Sequence, residues 1–173
     1  MSQTEDDDQA IDNAWKIHAA LADWTGKVDT KASFALTIET ALLAGVVTLS
    51  SSGRIFASIS GWFAIALYVL GVVLLVASAL FAVWVVRPRL RSPNLESEAA
   101  DSYVYFGHLR LQSKTEVLKH LQETPILPVL ANQLVQMSKI AWQKHRFVQI
   151  SMTVGVLGVL FLGISAGALT AHH

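Results

Sequence analysis

ISGWFAIALYVLGVVLLVASALFAVWVV, Ile59 to Val86, runs 28 residues without a charge. As a helix it would be about 42 Å long, against about 30 Å of bilayer hydrocarbon. It can therefore cross a membrane with tilt or with an end projecting. Trp62 and Trp84, near its two ends, suit the two interfaces. FVQISMTVGVLGVLFLGISAGALTA, Phe147 to Ala171, is a second uncharged run of spanning length. FALTIETALLAGVVTLS, Phe34 to Ser50, is shorter and carries Glu39. Only the polar loop 51–58 separates it from the run starting at Ile59, which makes the two an antiparallel hairpin. Three transmembrane helices follow, over 34–50, 59–86 and 147–171, in an all-α integral membrane protein.

Composition agrees. The 173 residues are 53% hydrophobic with zero net charge and no cysteine. Disulfides, thiol catalysis and cysteine-based metal sites are excluded. MSQTEDDDQAIDNAW is acidic and lacks the basic and apolar regions of a secretory signal.

The basic residues set an orientation. Arg87, Arg89 and Arg91 follow the second span, and Lys139, Lys144 and Arg146 precede the third. The loop 51–58 has Arg54 alone. The positive-inside rule places 87–146 in the cytoplasm, with the N-terminus beside it and the tail Ala171-His172-His173 outside. Lys16, Lys27 and Lys31 agree with this. The expected location is the inner membrane, with the lipid bilayer as the first partner. His172-His173, whether native or a tag remnant, carries no argument.

Two cytoplasmic pieces remain. Residues 1–33 contain an amphipathic helix: Ile11, Trp15, His18, Ala22 and Thr25 recur at helical spacing, widened by Leu21 and Trp24. Gly26 is its weak point. Segment 87–146 is a small helical domain between spans two and three. Pro88 and Pro93 end the second helix in an extended exit. A short helix is expected over 96–107, closing at Gly107. Ser113-x-x-Glu116 fits a capping box before Val117, Leu118 and Leu121. Pro125 and Pro128 end that helix. Another runs from Val129 to Arg146 with Leu130, Leu134, Met137, Ala141 and His145 on one face, continuing into the third span.

DWTGKVDTKASFALTIETALLAG (Asp23–Gly45), VYFGHLRLQSKTEVLKHL (Val104–Leu121) and NQLVQMSKIAWQKHRFVQIS (Asn132–Ser151) resemble the Pycsar transmembrane effector family. The matching features are Trp24 before Asp29, Lys31 and Ala32, the aromatic-Phe-Gly segment with its Ser-x-x-Glu helix start, and the helix entering the last span. The resemblance covers nearly the whole chain. It implies an anti-phage membrane effector that answers cyclic CMP or cyclic UMP made by a partner pyrimidine nucleotide cyclase. It also implies membrane impairment and abortive infection. No β-roll cyclic-nucleotide-binding domain is visible in the sequence.

Against that background the polar residues read in two ways. Glu39, beside Thr37 and Thr40, is either a pore-lining or gating carboxylate, or a structural acid paired with Lys144 or Arg146, or one close enough to the interface to stay hydrated. Asp29 and Lys31 either serve ligand binding or switching, or act as a local cap and a headgroup anchor. Tyr103, Tyr105, Phe106, Gly107, His108 and Arg110 form the most ligand-like cluster: Arg110 or His108 for a phosphate, Tyr105 for a base. The alternative is an aromatic core beside a solvated arginine. Lys144, His145 and Arg146 are explained by anchoring. Gly163 to Gly167 is a small-xxx-small motif, and Ser151 with Gly155 is a second such pair, for helix packing or a homo-oligomer.

No zincin motif, P-loop or nucleophile elbow is present, so an enzyme is not expected, nor is a cofactor or metal. The basic residues sit at membrane edges, which argues against nucleic acid. The rival reading is a non-pore membrane anchor docking a soluble signalling partner.

Overall fold

The computed structural model describes residues 3–88 and 102–170. Arg89, Arg91, Pro93, the start of the helix expected over 96–107, and the tail Ala171-His172-His173 lie outside these residues. Five helices follow in order: α1 (Gln3–Leu49), α2 (Trp62–Val86), α3 (Phe106–Leu109), α4 (Lys114–Glu123) and α5 (Ile126–Thr170). No strand occurs among the described residues. Three of the helices, α1, α2 and α5, are long and apolar enough to cross a membrane.

The chain divides into two units. One is Met1–Gly26 with Pro88–Gln143, and the other is Lys27–Arg87 with Lys144–His173.

In the second unit, three helical segments form a bundle. Asp29 meets Lys144 and Glu39 meets Ser151, while Val46 clusters with Leu162. Both residue numbers rise together, so α1 and α5 run parallel. Ser50 bonds Tyr68 and Glu39 meets Ser78, so α2 runs the opposite way.

From residue 141 onward the buried positions of α5 are 141, 144, 148, 151, 155, 158, 162 and 165, alternating steps of three and four. On α1, Ala14, Leu21 and Val28 recur every seven residues, as do Ala32, Glu39 and Val46. This 3.5-residue period is the seam of a left-handed supercoil. Away from the seam Phe34, Ile38 and Val47 are exposed, as lipid-facing residues are. Thr37, Thr40 and Thr48 are also outward, each donating its hydroxyl to a carbonyl one turn back at 2.8–3.0 Å. That removes a bare donor from hydrocarbon.

The helix boundaries differ in places from those the sequence suggested. α1 passes Gly26 without a break. One glycine disfavours a helix by about 1 kcal/mol, too little to interrupt a packed one. α2 begins at Trp62, three residues into its apolar run, because Gly61 turns the chain with φ 85°. α5 begins at Ile126, with Pro128 inside its first turn, where a missing N–H is tolerated.

In the first unit the buried apolar side chains are Ala14, Leu21, Tyr103, Val129, Leu130 and Ala141. The amphipathic stripe is rotated from the one expected: Trp15 and Trp24 are 41% and 53% exposed, while Ala14 is buried. Tryptophan is wide enough to flank a seam without entering it. Ser113 caps α4 through a capping box, its Oγ accepting from Glu116 N and its N–H donating to the Glu116 carboxylate at 2.6 Å. Those bonds hold the exposed Glu116 carboxyl below its ordinary pKa, the backbone N–H contributing most. Gly107 lies within the single turn of α3 rather than closing a longer helix. The ring of Tyr105 covers the place its Cβ would take, so any side chain there would have to displace that ring.

Candidate functional site

One polar centre joins all three spanning helices. Glu39 of α1, Ser78 of α2 and Ser151 of α5 are 5%, 0% and 0% exposed. Ser78 Oγ donates to Glu39 Oε1 in a short contact, and Ser151 Oγ donates to the same oxygen at 3.0 Å. The serines also tie the helices to each other. Ser78 Oγ reaches the Ser151 carbonyl at 2.7 Å, and Ser151 Oγ reaches the Ser78 carbonyl at 3.0 Å. Glu39 Oε2 is buried and has no hydrogen-bond partner among the described residues. The donors to this carboxyl are thus neutral hydroxyls, both buried.

The space for this centre comes from a glycine. A Cβ on Gly155 would lie 2.8 Å from Ser78 Oγ and 3.2 Å from Glu39 Oε1. One turn further on, a Cβ on Gly158 would lie 3.0 Å from the Gly71 carbonyl and 3.0 Å from Leu75 N. Gly71 and Gly158 therefore let α2 and α5 approach backbone to backbone. Gly163 and Gly167, by contrast, are exposed, and a Cβ on either would meet nothing within 4 Å. Beside the centre, an apolar groove opens between α1 and α5, lined by Ala35, Ile38, Met152 and Val156 with Glu39 as its one polar wall.

The basic partner expected for Glu39 is engaged elsewhere. Lys144 Nζ donates to both oxygens of Asp29, at 2.6 and 2.7 Å. Lys144 is nearly buried, with 8% of its side chain exposed against 36% for Asp29. Helical side chains lean toward the N-terminus, so a lysine at 144 reaches back to Asp29 and away from Glu39. Asp29 lies ten residues before Glu39 on α1, about 15 Å along the axis. Lys31, His145 and Arg146 are exposed.

The aromatic cluster belongs to the first unit. Tyr103 is buried, stacks on His120 with centroids 5.5 Å apart and donates its hydroxyl to the Thr124 carbonyl at 3.2 Å. Burial raises the pKa of its phenol, which keeps it a neutral donor. Tyr105 is half-buried, its ring 4.5 Å from Phe106 and 5.3 Å from the buried His108. Phe106 and Arg110 are exposed. A ligand's phosphate can thus reach Arg110, and a base can reach Phe106 or the outer edge of Tyr105. Tyr103 and His108 serve the interior.

Sequence reasoning nominated Glu39 but missed Ser78 as its partner and read Ser151 only as a small residue. The available signal was Ser151 standing seven residues after Lys144 on α5, with Ser78 the lone serine of α2. Among the described residues no group of His, Cys, Asp or Glu is placed to hold a metal.

Comparison with curated proteins and with solved structures finds no match. A family model described as the Pycsar effector protein domain matches residues 13–171, a span that includes α2, α5, all but the first ten residues of α1, and the polar centre. The chain therefore belongs to the Pycsar effector family and is a membrane effector of a cyclic-nucleotide anti-phage system.

Proposed function

We propose that this effector answers cyclic CMP or cyclic UMP, made by a partner pyrimidine nucleotide cyclase, by permeabilising the inner membrane as a homo-oligomer. The observation that carries this reading is the carboxyl of Glu39, buried between three spanning helices with neutral donors only. An acid within the membrane is disfavoured, by up to about 2.5–3.5 kcal/mol when it is charged and at the helix centre. An apolar residue would close the same bundle at no such cost. Glu39 is the gating carboxyl in this reading, unsealed when the bundle rearranges.

The N-terminus and segment 87–146 face the cytoplasm, where the messenger is made, in line with the distribution of basic residues. Tyr105 and Arg110 provide a stacking face and a phosphate-binding cation. Asp29 and Lys31 form a switch at the membrane edge, Asp29 through its bond to Lys144. Gly163 and Gly167 are open and small, and suit contact with a second copy. Nothing in this scheme needs catalysis, since a ligand acts by binding the open state better than the closed one.

The test is dye release from liposomes containing the purified protein, with cyclic CMP, cyclic UMP, cyclic AMP or cyclic GMP added. Release with one pyrimidine nucleotide is expected. Arg110→Ala should shift its dose response to roughly tenfold higher nucleotide, equivalent to about 1.4 kcal/mol of phosphate binding. Tight vesicles with every nucleotide, together with co-purification of a soluble enzyme, would instead establish a membrane anchor.

A further inference from the structure

Ser78 and Ser151 hold Glu39 in an arrangement that is short of protons. Each hydroxyl has one proton and three acceptors in reach, Glu39 Oε1, the other serine's carbonyl and, at 3.4 Å, the other serine's Oγ. Meanwhile Glu39 Oε2 is sealed from solvent with no donor among the described residues. Water reaching that oxygen would relieve an unfavourable burial. The closed bundle therefore retains Glu39 against a bias toward opening, and something must oppose that bias.

We infer that Ser78 and Ser151 are positioning residues that latch Glu39 inside the closed bundle, and that opening breaks this latch so that Glu39 Oε2 meets water. The inference rests on the membrane-permeabilising reading and adds the residues that set its threshold. Their place in the bundle supports the role. Three other hydrogen bonds between the spanning segments each join two of them: Ser50 with Tyr68 for the end of α1 and α2, Ser165 with the Ala64 carbonyl for α5 and α2, and Lys144 with Asp29 for α5 and α1. Glu39 with the two serines joins all three. Breaking it loosens α1 from both neighbours at one depth. Gly155 is part of the device, because any side chain there would press on Ser78 Oγ, 2.8 Å from the Cβ position.

The test is dye release from liposomes with no nucleotide present, at matched protein incorporation. Ser78→Ala with Ser151→Ala should raise basal release about tenfold, the factor given by 1.4 kcal/mol. Gly155→Ala should raise it too, by displacing Ser78. Glu39→Leu should lower release below the wild type, and added to the serine pair it should cancel their rise. Opposite signs from residues in mutual contact separate a latch from general loosening. Circular dichroism of each variant confirms its helix content. Basal release unchanged in both the serine pair and Gly155→Ala overturns the inference, as does a rise with Glu39→Leu. If the wild type answers no nucleotide, the messenger reading fails, while the contrast in basal release still decides the latch.

Discussion

Two carboxylates on one face of α1 meet the same helix, α5, in opposite ways. Asp29 takes a lysine ammonium at 2.6 Å and stays 36% exposed. Glu39, about 15 Å deeper along the helix, takes two serine hydroxyls and is 5% exposed. The difference follows from solvent. At the membrane edge a charged pair keeps part of its hydration, so it can anchor helices without a large desolvation penalty. Deeper in, a charged partner would have to be dehydrated, and neutral donors are the less unfavourable partners. The first contact suits a clasp that solvent can reach. The second leaves an acceptor bare, which suits a movable part.

The largest effect should come from breaking the clasp on its exposed side. Asp29→Leu leaves Lys144 nearly buried without its counterion, which should destabilise the bundle by about 3 kcal/mol. Unfolding in mixed micelles measures it, and Lys144→Met in the same chain should recover most of the loss. A full loss persisting in the double variant would mean that the pair was not what mattered.

Next comes the deeper contact. Ser78→Ala with Ser151→Ala should cost about 2 kcal/mol, roughly 1 for each hydrogen bond. Adding Glu39→Leu should restore much of it, since no bare carboxyl then remains. Additive losses by the same unfolding assay would deny the coupling that the geometry gives these three residues.

A carboxylate bonded in open water sharpens the contrast. Ser113→Ala removes the α4 cap and should cost that helix about 1 kcal/mol. The Glu116 carboxyl is held below its ordinary pKa when folded. Its contribution is thus fully present above the unfolded value near 4.5 and is lost as the pH falls through the lower folded value. Amide exchange in α4 between pH 7 and 3 should show protection fading in the acid range in the wild type, and a smaller step in Ser113→Ala, which loses the side-chain bond but keeps the Ser113 N–H.

The smallest effect is a gain. A Cβ on Gly26 meets nothing within 4 Å, so Gly26→Ala should stabilise α1 by about 0.5 kcal/mol. A loss on thermal unfolding would show that this glycine has a use beyond continuing the helix.

The spans were legible because long uncharged runs have few other places to be, and the capping box at Ser113 was legible because its two partners are three residues apart. The stripe of the N-terminal helix was less so. Trp15 and Trp24 are the most hydrophobic-looking residues there, yet the smaller Ala14 and Leu21 fill the seam. A 3.5-residue period and a 3.6-residue period drift apart slowly, and a short window does not tell them apart. The pairing of Glu39 was the harder miss. Lys144 and Arg146 were the evident partners by charge, but the direction of a lysine side chain on a helix turns it the other way.

By itself the sequence determined that this chain is helical, that three segments belong in a bilayer, and that Glu39 is a residue in need of a reason. These follow from transfer free energy and helix geometry, which act on a segment without reference to its neighbours. Only the tertiary structure decided that Asp29 owns Lys144, that Gly71 and Gly158 bring two backbones together, and that Ser78 and Ser151 close on Glu39. Those contacts join residues 39 to 115 positions apart. They depend on the rotation of each helix about its own axis, which is set by packing among all three helices at once.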